Sequence, residues 1–126
     1  MKIPLEQFEK WVAEAIDILP EKYLNRINNI VFLVADYPTD EQLKEVNLGR
    51  NNILFGLYEG YIQSSRRNVG AVTPDRITIF RRPICDYYDN DKDIQKQVFE
   101  TIKHEIAHHF GSAEDGARKA GQRKIK

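Results

Sequence analysis

Apolar and polar positions along this chain follow several different periods, and the changes of period mark its elements. In "PLEQFEKWVAEAIDILP" the apolar residues Leu5, Phe8, Val12, Ala15, Ile16 and Leu19 recur at helical spacing. Pro4 opens that segment at a first-turn position and Pro20 closes it. "NNIVFLVADYP" then changes to an unbroken apolar run, Ile30 to Val34, mostly β-branched or aromatic. Such a run predicts a buried central strand, ended by Pro38. "TDEQLKEVNLGRNN" is a polar stretch read mostly as loop, in which "DEQLKEV" can form a short helical turn. "ILFGLYEGY" predicts a second strand punctuated by Gly56 and Gly60, "QSSRRNVGAVTPD" a polar connection, and "RITIFRRP" alternates as a third strand.

The last block, "DNDKDIQKQVFETIKHEIAHHFG", returns to the helical period. Asp89, Asn90, Asp91 and Asp93 suit a helix N-cap and first turn, and Gly111 suits the left-handed residue just past a helix end. At about 100° per residue, Val98, Phe99, Ile102, Ile106 and Phe110 fall in one arc roughly 160° wide, which is expected to face the core. His104 and His108 lie outside the arc, on a flank shared with Thr101 and Gln97, while Glu105 stands at its border. The pattern as a whole predicts an α+β fold: a small mixed sheet flanked by an N-terminal and a C-terminal helix.

Composition narrows the reading. The 126 residues make one domain, 1–126, with 118–126 expected as a flexible basic tail. Lys and Arg balance Asp and Glu at 19 each, so no global charge argues for nucleic acid or an anionic membrane. The second half is the more basic, through Arg66, Arg67, Arg81, Arg82 and "RKAGQRKIK", which read as solvated faces and a frayed end. The only cysteine, Cys85, cannot form an internal disulfide, fits a reducing compartment and is expected as a packed small hydrophobe. No apolar run has the length of a signal peptide or a membrane span, so a cytoplasmic protein is expected. Oligomeric state is left open by the residues.

All three histidines fall within "HEIAHH". Residues four apart on a helix are neighbours, so His104 and His108 can aim one nitrogen each at a common point, at zinc–nitrogen distances of about 2.0–2.1 Å. Glu105 cannot share that coordination position but can reach a water there and take its proton. H-E-x-x-H thus supplies two ligands and a base for metal-assisted hydrolysis. His109 points about 100° away from His108, inside the apolar arc, and reads as a neutral core histidine. Catalytic zinc normally takes a third protein ligand. Residues 112–126 offer Glu114 and, alternatively, Asp115 just after the turn at Gly111.

"LFGLYEG", "PDRITIFRRPI" and "KHEIAHHFG", in that order and rough spacing, resemble the small single-domain zincin-like metallopeptidases, or minimal zincins. The resemblance spans the chain from the N-terminal helix to Glu114. It implies a compact α+β fold with zinc on the HExxH helix, His104 and His108 as ligands, Glu105 as base and Gly111 as the turn. The family usually has Asp where this chain has Glu114. By analogy, "LFGLYEGY" would lie at the sheet edge above the helix and pair with an extended peptide or protein substrate. Tyr58, Tyr61, Tyr87, Tyr88 and the arginines are candidates for stabilising an oxyanion. Zinc-dependent hydrolysis of peptide bonds is therefore the expected function. The alternative is a zinc-binding protein without turnover. A nucleic-acid module lacks both a motif and interleaved aromatics.

Overall fold

The centre of the molecule is not the most apolar strand but the one with partners on both sides. In a computed structural model, described for residues 2–24, 30–46, 53–60 and 74–111 (side chains to 108), three strands form one sheet. They are β1 (Ile30–Ala35), β2 (Gly56–Glu59) and β3 (Asp75–Phe80), in the order β1-β3-β2. β1 runs parallel to β3 from Ile30↔Asp75 to Ala35↔Phe80, and β2 runs antiparallel to it from Gly56↔Ile79 to Glu59↔Arg76. The sheet is mixed, as expected, but β1 is a flank rather than its centre. Val31 and Leu33 remain 39% and 42% exposed, because alternate side chains of a strand point to opposite faces and only one face of β1 meets the core.

Among the described residues five helices accompany the sheet: α1 (Leu5–Asp17), the short α2 (Glu21–Leu24), α3 (Asp40–Val46), α4 (Arg81–Tyr87) and α5 (Asp91–Gly111). α1 buries Phe8, Trp11, Val12 and Ala15, whereas Leu5, which shares the helical spacing, is exposed. α3 is opened by a reciprocal cap: the Gln42 amide donates to Thr39 Oγ1 at 3.0 Å and the Thr39 amide to Gln42 Oε1 at 2.9 Å. The alternation in "RITIFRRP" stops being strand at Phe80. Arg81 and Arg82 begin α4, with Pro83 in its first turn, where a missing N–H costs no helix bond. Arg81 ties this corner together, donating to Asp36 Oδ1 at 2.9 Å and to the Ile3 carbonyl at 2.6 Å.

The main core lies between the α1–α5 layer and one sheet face. Phe8, Trp11 and Val12 meet Ile77, Ile79 and Phe55, together with Ile94, Val98, Ile102 and Ile106 of α5. Cys85 is fully buried there, and burial pushes its thiol up, as befits a packed hydrophobe. A smaller cluster on the other face joins Leu54, Leu57 and Phe80. No described helix is long and apolar enough to cross a membrane.

Candidate metal centre

α5 holds the centre because its two ends have different tasks. Its N-terminus is fixed by Asn90, whose Oδ1 accepts from the Asp93 amide at 2.9 Å while its Nδ2 donates to the Asp93 carboxylate. Its middle is anchored by the buried Ile94, Val98, Ile102 and Ile106. The helix runs through Gly111, which is therefore its last residue rather than the first beyond it. The flank carrying the histidines is not a solvated face. Tyr88 donates to Gln97 at 2.6 Å, Gln97 donates to Thr101 Oγ1 at 2.9 Å, and Thr101 is buried against β2.

Near the C-terminal end of this flank, His104 and His108 are half-buried with their Nε2 atoms 3.4 Å apart. Two nitrogens bound tetrahedrally to one ion at about 2.05 Å must stand roughly 3.3 Å from each other. The observed spacing suits two ligands sharing a cation and is also that of a long hydrogen bond between the two rings. One potential ligand atom from each of His104, Glu105 and His108 lies within 4.8 Å of the others.

Glu105 is 1% exposed, and its Oε1 has no hydrogen-bond partner among the described residues. His108 Nδ1 stands 3.5 Å from that oxygen, long for a hydrogen bond. Burial raises the carboxyl to about 8, against a smaller opposing effect of the Tyr58 backbone. A buried acid with an orphaned oxygen beside two converging imidazoles is a donor set that lacks positive charge. A divalent cation fits it.

A match to the zincin-like metallopeptidase family model covers residues 27–121 of the chain. The chain belongs to that family. No curated protein matches its sequence. Zincin-like metallopeptidases are zinc-dependent peptidases in type, and the match supports that general function here. Among the described residues, the structure brings together the three the sequence singled out from H-E-x-x-H. Glu114 and Asp115 lie outside the described residues, as do Tyr61 and the His109 side chain.

Of the candidate tyrosines, only Tyr58 adjoins this zincin-like centre among the described residues. Its ring is edge-on to His108, with centroids 6.1 Å apart, and its hydroxyl donates to Asp75 at 2.7 Å. Tyr88 is committed to Gln97, and Tyr87 lines a shallow apolar groove with Tyr37, Pro38 and Pro83 at the far end of β3. Asp75 was not foreseen from the sequence. Its signal was available in the alternation of "DRITIF", which puts Asp75 on the same face as Ile77 and Ile79.

Proposed function

We propose that this protein is a zinc-dependent peptidase in which His104 and His108 hold the metal, Glu105 is the general base, and Glu114 (alternatively Asp115) completes the ligand set. The observation that carries the reading is the 3.4 Å convergence of the two Nε2 atoms beside a buried carboxylate with an orphaned oxygen. Zinc, when bound, polarises the scissile carbonyl and lowers the pKa of water toward ~7. Glu105 then accepts the proton of the attacking water and returns it to the leaving amine. A cation beside Glu105 favours its ionised form, opposing the burial that holds it protonated without metal.

The position of β2 suits a peptide. Among the described residues it pairs with β3 alone, and its other side is a sheet edge alongside α5. An extended substrate chain can add to such an edge through main-chain hydrogen bonds, which would bring a scissile bond over the helix.

Replacement of Glu105 tests the reading. Glu105→Gln keeps shape and helix propensity while removing the base, so the purified protein should retain zinc yet cleave a mixed peptide library ~10²–10⁴-fold more slowly. Equal cleavage by both proteins would remove Glu105 from the chemistry. Stoichiometric zinc with no cleavage by the parent would favour the metal-binding protein without turnover.

A further inference from the structure

The side of β2 that faces α5 is built from alternate residues of "GLYEG": Gly56, Tyr58 and Gly60. Each glycine makes room for a particular atom. A Cβ on Gly56 would stand 2.5 Å from Thr101 Cγ2, so the helix is seated directly against the strand backbone. A Cβ on Gly60 would stand 2.6 Å from the Tyr58 hydroxyl, so the phenol lies across the space that glycine leaves. That hydroxyl reaches Asp75, which is buried on the neighbouring strand. Thr101, His104 or Glu105, and His108 succeed one another along one helical face, so the close approach at Gly56 carries His108 onto the Tyr58 ring.

Tyr58 therefore touches one of the groups that the proposed chemistry needs. Its ring meets the His108 imidazole edge-on, at 78° between planes. A ring pinned at its hydroxyl is a fixed wall, whereas a free one rocks about its χ angles. We propose that Tyr58, locked by Asp75 over Gly60, is a positioning residue that sets the orientation of His108 toward the point it shares with His104. This rests on the zinc reading of the two histidines. It assigns a purpose to the glycine spacing that helix or strand formation does not require.

The test is metal affinity, read by chelator competition for zinc and by the visible absorption of the cobalt-substituted protein, with the metal-free melting temperature followed in parallel. Residues that orient a metal ligand typically contribute 10–100-fold to affinity. Tyr58→Leu should weaken zinc binding by roughly that factor and change the cobalt spectrum. Tyr58→Phe and Asp75→Ala should each weaken it several-fold. Together they should do no more than either alone, since both remove the one hydrogen bond between the phenol and the carboxylate. If Tyr58→Leu folds and binds both metals as the parent does, the proposal is overturned. Should that variant fail to fold, the Tyr58→Phe and Asp75→Ala pair decides: unchanged affinity, or effects that simply add, overturns it equally. His104→Ala is the control. Zinc retained by that variant would instead sink the assignment of the ligands, whatever Tyr58 does.

Discussion

β1 and β2 flank the same central strand, yet they are made of opposite material. β1 is "IVFLVA", six apolar residues, and still leaves Val31 and Leu33 about two-fifths exposed. β2 is "GLYE", half of it glycine and glutamate, and buries Gly56 and Leu57. The difference lies in what covers each strand. β2 has α5 on one face and, on the other, α3, whose Gln42 donates to Glu59 at 3.2 Å. Apolar content reports how much surface a strand offers for burial. It does not report how closely a helix can approach, and on β2 glycine decides that. The strand with the poorer hydrophobic signal is the one beside the metal centre.

That contrast can be broken at four points. The largest effect belongs to the centre itself: His104→Ala should abolish zinc retention and cleavage together, whereas Glu105→Gln should lose cleavage alone. Elemental analysis beside a peptide-cleavage assay separates them.

Next comes pH. Glu105 is raised from 4.5 to about 8 in the folded, metal-free protein, so between those values the native state binds more protons than the unfolded chain. The contribution of Glu105 to the stability of the metal-free protein should therefore be full below about 4.5 and fall as pH rises toward 8, by on the order of a few kcal/mol at most. Denaturant unfolding of Glu105→Gln across the same range should lack this loss. A parent curve as flat as the variant's would mean that the buried carboxyl is already compensated.

Smaller again is the glycine contact. Gly56→Ala drives a methyl into Thr101 Cγ2 and crowds the Thr78 carbonyl at 3.2 Å, which should cost about 1–3 kcal/mol. Thr101→Ser removes the offending methyl and should recover part of that loss in the double variant. Failure of any rescue would show that the backbone contact, and not Thr101, sets the distance between α5 and β2. At the bottom of the scale, Val31→Thr on the exposed side of β1 should move stability by no more than about 0.5 kcal/mol in the same unfolding experiment.

Much of this arrangement was legible in the residues. The helical period of α5 and the spacing of His104 and His108 are local properties, and local properties survive folding unchanged. α1 was equally readable, apart from Trp11, which is buried, and Leu5, which is not. What escaped was relational. An apolar run such as Ile30 to Val34 cannot say which strand will have two neighbours, and the alternation of "RITIFRRP" passes through Phe80 without marking where α4 begins. α3 carried a sharper sign than its polarity suggested, since Thr39 and Gln42 stand at the spacing of a reciprocal cap. Tyr58 and Asp75 are 17 residues apart and meet only through strand register. The third ligand, Glu114 or Asp115, stays a reading of the sequence.

The central place of β3 bears on the order in which the molecule can assemble. Ile30 must wait for Asp75, and Gly56 for Ile79, so among the described residues neither flank has a sheet partner until the chain has been made through residue 80. The ligand-bearing helix comes later still, and its histidines face a wall that exists only once β2 and β3 have joined. Long-range pairing of this kind sets a slow, late closure. An ion captured only once that wall stands would not nucleate the fold as it does in small zinc-organised domains. It would act on the other side of the barrier, slowing the unfolding of a finished molecule while leaving the rate of its formation untouched.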